Sequence, residues 1–258
     1  MDEMEMVPSA RWDHVASLYD MYVQATLDIP FFLQEVAKSS GDVLELMSGT
    51  GRASIPLAQA GVRLTCVDNA PEMLAILRQK LTKENLSVQV YEMDVRELAL
   101  HRQFDLILIP FHSFSELIST TDQEKALARI HEHLSKQGRF ICTLHNPSQR
   151  LRSVDGQLRL VGTYPDNEHQ TTLLFWSLSS YEPAKCIVHV SQFYEQYNNR
   201  GVLQEKRLLQ INFVLLQREA FETLAKSAGF KVLALYGDYS YTPFDEETSP
   251  YMIWVLGK

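Results

Sequence analysis

The stretch VLELMSGTGRASIPLAQAGVRLTCVDNAPEML, residues 43–74, decides the fold of this chain. It opens with an apolar run that is typical of a buried parallel strand. The loop SGTG, 48–51, follows, and its two glycines allow the backbone to turn sharply and to approach a ligand closely. A predicted helix over 52–60, a second strand over 62–67 and then Asp68 complete a βαβ unit. A glycine loop between strand and helix, with an acid at the end of the next strand, predicts a nucleoside-cofactor site.

The residues around this loop discriminate between kinds of cofactor. Dinucleotide sites read G-x-G-x-x-G/A, whereas Ser54 stands at the third glycine's place here. Glu45 lies within the first strand, four residues before Gly49. A carboxylate there would repel a pyrophosphate and would attract a ligand that carries an ammonium or sulfonium group. The pattern therefore favours a cationic nucleoside cofactor over a dinucleotide.

At these residues the sequence resembles the class I S-adenosylmethionine-dependent methyltransferases, whose first motif is E/D-x-G-x-G-x-G. Glu45, Gly49 and Gly51 match the motif, and Met47 stands in place of its first glycine. The resemblance implies S-adenosyl-L-methionine as the cofactor. It also implies an α/β fold with a Rossmann-like, mostly parallel seven-stranded sheet whose last strand is antiparallel.

The resemblance further implies roles for residues at the carboxyl ends of the predicted strands. Asp68, 17 positions after Gly51 (68 − 51), would bind the ribose hydroxyls, and Asp94 would accept from the adenine amino group. Tyr19 would contact the methionine part of the cofactor, or would belong only to an amphipathic helix face. The expected cofactor-binding residues are Tyr19, Glu45, Met47, Gly49, Gly51, Asp68, Asn69, Met73, Asp94, Val95 and Ile109.

Catalysis is expected around the segments that follow the fourth and fifth strands. Methyl transfer from a sulfonium is an in-line displacement on an activated carbon, so positioning in a dry pocket supplies most of the acceleration. A base is needed only where the acceptor must lose a proton. His112 and His145 are candidates for this base, and each could equally be a packed, hydrogen-bonded group. The expected acceptor-pocket residues are Phe111, His112, Phe114, Trp176 and Tyr239.

The chain divides into three predicted units. Residues 1–40 form an N-terminal helical cap, and residues 41–150 with 216–258 form the Rossmann-like cofactor-binding domain. Residues 151–215 alternate in polarity without a helical period, which predicts an inserted antiparallel β subdomain. Its aromatic side chains would line an acceptor pocket, the inner face of a small sheet or a homodimer interface. This layout resembles that of the sugar-amine N-methyltransferases.

Two local patterns make further predictions. About 14 residues with two prolines separate a strand over 230–236 from the last strand over 251–256. This loop leaves no room for a crossover helix, so the two strands should pair as a hairpin. Thr121, with Glu124 three residues later, predicts a capping box for a helix over 122–136.

Composition limits the partners. A net charge of −8 and a pI near 5.5 argue against a nucleic-acid surface and an anionic membrane. The N-terminal sequence lacks the apolar core of a signal peptide, and no apolar run approaches the roughly 20 residues that cross a bilayer.

His131 and His133 point to different sides of one predicted helix, so no metal site is expected. Cys66, Cys142 and Cys186 lie far apart in apolar runs, which predicts reduced thiols in a cytoplasmic protein.

The sequence therefore predicts an enzyme that methylates a nitrogen or an oxygen of a small-molecule acceptor. A nicotinamide-dependent oxidoreductase is a less favoured alternative, because Glu45 and the missing third glycine speak against it. A non-catalytic S-adenosylmethionine-binding sensor or assembly protein, with residues 151–215 as its interaction surface, is the other alternative.

Overall fold

Two β-sheets organise the part of the chain, residues 12–258, that the computed structural model describes. The strands are β1 (Val43–Leu46), β2 (Leu64–Asp68), β3 (Gln89–Glu92), β4 (Phe104–Ile109), β5 (Leu134–His145), β6 (Arg159–Asp166), β7 (Thr171–Glu182), β8 (Ile187–Asn198), β9 (Leu203–Val214), β10 (Lys231–Tyr236) and β11 (Tyr251–Gly257). The helices are α1 (Ala16–Tyr22), α2 (Ile29–Ala37), α3 (Ser54–Gln59), α4 (Pro71–Lys83), α5 (Thr120–His133), α6 (Pro147–Leu151) and α7 (Arg218–Ser227). Short 3-10 turns span Trp12–Val15, Val95–Glu97 and Ser113–Glu116.

The larger sheet has seven strands in the order β10-β11-β5-β4-β1-β2-β3. Strands β1 to β5 run parallel to one another, and β11 is antiparallel to both β5 and β10. All four residues of β1 are buried because helices cover both faces of the sheet. The predicted fold class is therefore confirmed, as is the hairpin of the last two strands.

The smaller sheet is an antiparallel meander, β6-β7-β8-β9, inserted between β5 and α7. Leu173 and Phe175 on its inner face pack against Val15 and Leu18, which begin the N-terminal helical segment. The other side of this segment packs on Ala70 and Met73 of the larger unit. Helix α1 therefore lies between the meander and the carboxyl edge of the parallel strands.

The boundaries around α5 differ from the prediction. The helix begins at Thr120, and its N-cap is Ser119, whose hydroxyl accepts from the Asp122 backbone N–H at 3.1 Å. The predicted capping box that starts at Thr121 is wrong, because Ser119 already has the extended backbone of a cap (φ −92°, ψ 141°). The helix also ends at His133, and β5 begins directly afterwards at Leu134.

The proposed division into cap, Rossmann-like domain and inserted subdomain stays a prediction, and residues 1–11 of the predicted cap lie outside the described residues. None of the helices within residues 12–258 combines the length and the apolar character that a bilayer crossing requires.

Candidate functional site

The loop after β1 places three residues of the motif in left-handed backbone. Met47 has φ of 56°, Gly49 of 55° and Gly51 of 85°. This conformation explains why the family motif carries glycine where Met47 stands, since a side chain there costs about 1–2 kcal/mol. A Cβ added at Gly49 would meet open space. The loop therefore leaves its backbone open to a ligand at Gly49.

Glu45 supplies a buried carboxylate beside this loop. Its side chain is 1% exposed, and its Oε2 accepts from the Ser54 hydroxyl at 2.6 Å. Burial raises the pKa of Glu45 to about 7, and the Ser54 hydrogen bond and the Arg52 charge oppose this rise. Within residues 12–258, no cation forms an ion pair with it. A buried carboxylate that no basic side chain neutralises is suited to a cationic ligand.

Asp68 lies at the carboxyl end of β2, across the loop from Glu45. Its Oδ2 accepts from the Gly49 N–H at 2.7 Å, and its Oδ1 accepts from the Ala70 N–H at 2.9 Å. Burial raises the pKa of Asp68, while these backbone donors oppose the rise. Two backbone donors therefore hold the carboxylate beside the glycine loop, and its role toward the ribose stays a prediction.

Asp94 is already engaged within the chain. Its carboxylate pairs with the Arg96 guanidinium at 2.6 Å and accepts from the Arg96 backbone N–H, and these contacts lower its pKa. The Asn69 side chain also lowers the pKa of Asp94. Val95 and Ile109 turn their side chains into the core. A role for these two residues toward adenine would therefore use backbone atoms.

A pocket at the carboxyl edge brings several predicted residues together. Five of the predicted residues share its wall, namely Tyr19, Glu45, Met47, Gly49 and Phe111, and they are joined by Ser48, Thr50, Arg52, Ala53, Pro110 and Ser113. The space between them is about 40 Å³, which is room for about one water. Tyr19 and Phe111 would therefore have to shift to admit a nucleoside cofactor.

Polar contacts hold α1 over this pocket. The Thr50 hydroxyl donates to Asp20 Oδ1 at 2.7 Å, and Lys80 Nζ lies 2.6 Å from Asp20 Oδ2. Lys80 also donates to the Thr50 carbonyl at 2.9 Å. The position of Tyr19 above the glycine loop follows from these contacts made by its neighbour.

An ion pair that the sequence analysis missed lies at the wall of the same pocket. Arg52 donates two hydrogen bonds to the Asp28 carboxylate, at 2.6 and 2.5 Å, and a third to the Ala25 carbonyl at 2.8 Å. Its guanidinium lies 4.4 Å from the centre of the Phe111 ring. Asp28 stands 24 positions before Arg52, and no local spacing pattern connects them.

The two candidate histidines lie away from the pocket wall. The His112 ring stacks on the His145 ring at 3.9 Å and lies 5.2 Å from the Tyr251 ring. Burial lowers the pKa of His112 to about 4 and lowers that of His145 well below its ordinary value. Protonating either imidazole in this buried pair is therefore unfavourable. A structural role for this pair, which the sequence analysis left open, fits this placement better than general-base catalysis.

Three other predicted pocket residues lie outside this wall. Phe114 is fully buried, 5.5 Å from the Phe221 ring, because the 3-10 turn directs its side chain into the core. Trp176 lies opposite Phe193 on the face of the meander that alternates with Phe175, away from α1. Tyr239 packs on the Phe31 and Tyr251 rings.

The residues at the pocket fit S-adenosylmethionine. Glu45 is a buried carboxylate that no basic side chain pairs with among the described residues, so it could hold the cofactor's ammonium group, and Asp68 beside the loop could accept from the ribose hydroxyls. The open space at Gly49 allows close approach to the loop backbone. When bound, the cofactor would supply an activated methyl group.

Comparisons with known proteins point the same way. A family profile described as "Methyltransferase domain" matches residues 43–138. A glycine/sarcosine N-methyltransferase of Halorhodospira halochloris is 25% identical over 240 residues, which is 92% of this chain and 82% of that protein.

Solved structures share the fold along nearly the whole chain. The CcbJ methyltransferase from Streptomyces caelestis has a TM-score of 0.81 and 22% identity, covering 97% of this chain and 99% of its own. An amino pentose methyltransferase from Micromonospora echinaspora, solved with S-adenosylmethionine bound, has a TM-score of 0.71 and 17% identity, covering 93% and 94%. The matched domain, the shared fold and the acidic glycine loop support a class I S-adenosylmethionine-dependent methyltransferase.

Proposed function

We propose that this enzyme transfers the methyl group of S-adenosylmethionine to a nitrogen or an oxygen of a small-molecule acceptor, and that a small amine is the favoured class. The main supporting observation is the acidic character of the site, in which the charge of Asp68 raises the pKa of both Glu45 and Glu116. Negative potential favours a cationic acceptor such as an ammonium. Relatives named for glycine, sarcosine and an amino pentose support the same class.

The residues contribute mainly by position. Glu45 and Asp68 would hold the two ends of the cofactor, and the Tyr19 and Phe111 rings would exclude water from the methyl group. The acceptor lone pair attacks the methyl carbon while the carbon–sulfur bond breaks and its electrons pass to sulfur. Holding the two atoms about 3–3.5 Å apart accounts for most of the acceleration.

The test is a panel of small amines, amino acids, amino sugars, phenols and alcohols, assayed for S-adenosylhomocysteine formation. We expect turnover with at least one amine and methylation at its nitrogen by mass spectrometry. Turnover confined to phenols or alcohols would contradict the amine preference. Tight cofactor binding by calorimetry with no turnover on any acceptor would instead favour the sensor alternative.

Cofactor affinity should depend on pH through Glu45. Its pKa lies near 7 in the folded protein, and a bound ammonium favours the ionised form, so binding should release a proton. Affinity should therefore rise as the pH rises from about 5.5 to 7.5, by at most about tenfold per unit for one proton. Calorimetry in buffers of different ionisation enthalpy measures the released proton. In Glu45→Gln this release should disappear, and its persistence would contradict the assignment.

Asp68→Ala should weaken cofactor binding by about 1.5–3 kcal/mol, because hydrogen bonds to a charged group are lost. The measurement is calorimetric titration with S-adenosylhomocysteine. Glu92→Ala, at an exposed position that pairs with Asp68 in the sheet, is the control and should keep wild-type affinity. Unchanged affinity in Asp68→Ala would contradict the ribose assignment.

The meander offers a surface for a homodimer. Leu160, Trp176, Phe193 and Leu208 face one another across its four strands, and Leu160 and Leu208 are 47% and 51% exposed. An apolar row of this kind is a common mark of a protein interface. A second copy of the chain would cover it by packing sheet on sheet.

Leu208→Glu should weaken this dimer by at least about 2 kcal/mol, because a charge would be buried without a partner. Sedimentation or light scattering over a concentration series measures the shift to monomer. Leu233→Glu introduces the same charge at an exposed position of β10 and should leave the dimer intact. A wild-type monomer at high concentration would contradict the proposal.

We propose a cytoplasmic location because the cysteine thiols do not form a disulfide. Cys66 and Cys142 are buried, and all three cysteines are free. Free thiols without a disulfide are typical of a reducing compartment.

A further inference from the structure

Lys80 on α4 joins the helix that covers the pocket to the glycine loop beneath it. Its Nζ lies 2.6 Å from Asp20 Oδ2 on α1 and donates to the Thr50 carbonyl of the loop at 2.9 Å. The Thr50 hydroxyl donates in turn to Asp20 Oδ1 at 2.7 Å. Three elements that are distant in the sequence therefore meet in one set of contacts, which we call the Lys80 cluster (Asp20, Thr50 and Lys80).

The Lys80 cluster lies beside the part of the wall that closes the pocket. Asp20 directly follows Tyr19, which lines the pocket, and Thr50 lines it between the two glycines of the loop. The space inside is about 40 Å³, far less than a nucleoside cofactor needs. Cofactor exchange therefore requires part of this wall to move away.

Helix α1 is the part of the wall that is attached to the larger unit most weakly. Glu45 belongs to the buried central strand β1, and the Phe111 ring is held 4.4 Å from the Arg52 guanidinium. Helix α1 has only seven residues and contacts the larger unit through Ala16 and the Lys80 cluster. An element with few buried contacts separates at low cost in free energy.

The other side of α1 is attached more firmly. Leu18 is 3% exposed and packs with Phe175 of the meander, and the Tyr22 hydroxyl accepts from the Tyr194 hydroxyl at 2.9 Å. We therefore expect α1 to remain on the meander when the pocket opens. The contacts that break are those with the larger unit, and the Lys80 cluster is the charged one among those that reach the glycine loop.

We propose that Lys80 is a positioning residue that controls cofactor exchange. Its bonds to Asp20 and Thr50 latch α1 over the site, and they break each time S-adenosylmethionine enters or S-adenosylhomocysteine leaves. The latch holds α1 over the empty and the occupied site alike, so it slows entry and exit by the same factor and leaves their ratio, the Kd, nearly unchanged. The inference goes beyond the proposed amine methylation, because it concerns the cofactor and involves no acceptor.

The test measures the association and dissociation rates of S-adenosylhomocysteine by surface plasmon resonance on the immobilised enzyme. Lys80→Met keeps a long side chain and removes the charge with both of its contacts. We expect each rate constant to rise about five- to tenfold, as the loss of a charge-assisted contact predicts, while the Kd stays within about threefold of wild type. Lys83→Met, at an exposed position of the same helix, is the matched control and should keep both wild-type rates.

Ionic strength provides a second test on the unaltered chain. The side chains of Lys80 and Asp20 are 30% and 43% exposed, so salt screens their attraction. Between about 0.05 and 1 M NaCl, both wild-type rates should rise toward those of Lys80→Met. Asp20→Asn keeps an oxygen for the Thr50 hydroxyl and loses the charge, so its rates should lie between those of wild type and Lys80→Met.

Two outcomes would overturn the inference. Wild-type rates in Lys80→Met would show that α1 does not limit cofactor exchange. A faster dissociation with unchanged association, and hence a weaker Kd, would assign Lys80 to the support of the bound cofactor. Thermal unfolding checks that Lys80→Met is folded, and if it is not, Asp20→Asn and the wild-type salt series decide by the same criteria. The acceptor panel tests the proposed function separately, since no acceptor is present in these measurements.

Discussion

Asp28→Ala is expected to lower the free energy of unfolding by about 3–5 kcal/mol, because it leaves a buried guanidinium without its counter-charge. The Arg52 side chain is 12% exposed and that of Asp28 is 4% exposed, and two hydrogen bonds join them. Asp28 precedes α2 but makes no side-chain cap, so the loss is that of the ion pair alone. Denaturant unfolding of wild type and variant at pH 7 gives the difference.

An exposed ion pair provides the control for this prediction. Arg129 and Glu132 lie 2.7 Å apart on α5 with side chains 47% and 56% exposed, so Glu132→Ala should cost less than about 1 kcal/mol. The double variant Asp28→Ala/Arg52→Met should recover part of the stability, since an apolar side chain tolerates the site. Equal small losses in Asp28→Ala and Glu132→Ala would show that the Arg52 charge reaches water when Asp28 is removed.

The elements of the larger sheet could be predicted because each is encoded within a few residues. The apolar run of β4, and a loop between β10 and β11 that has no room for a crossover helix, leave few alternatives for how those strands pair. The first residue of α5 was harder to predict, because both Ser119 and Thr121 can act as caps. The choice depends on which residue leaves the preceding turn in an extended conformation, and this is set by packing.

The site was predictable where the motif alone positions a side chain. Glu45 and Gly49 follow from the strand and the turn, and the structure places both at one pocket. The direction of His112 did not follow, since it has a left-handed backbone (φ 64°) that turns its ring toward His145. Contacts over long sequence distances, such as Trp12 with Glu116, have no local pattern at all.

Gly51→Ala is expected to lower the free energy of unfolding by roughly 2–4 kcal/mol, the sum of left-handed strain and overpacking. Gly51 has φ of 85°, and an added Cβ would lie 2.3 Å from the Leu77 Cδ1 atom. Leu77 is fully buried in α4, so it cannot move aside without displacing the core. Denaturant unfolding measures this loss.

Gly49→Ala is the matched control, because the two glycines belong to one loop but differ in their surroundings. Gly49 also has a left-handed backbone, yet its added Cβ meets open space, so it should lose only about 1–2 kcal/mol. The open space is the side from which we expect the cofactor to approach. Gly49→Ala should therefore weaken S-adenosylhomocysteine binding more than it weakens folding, and Gly51→Ala should show the reverse order. If both variants lost stability and affinity in the same proportion, the cofactor would not approach the loop at Gly49.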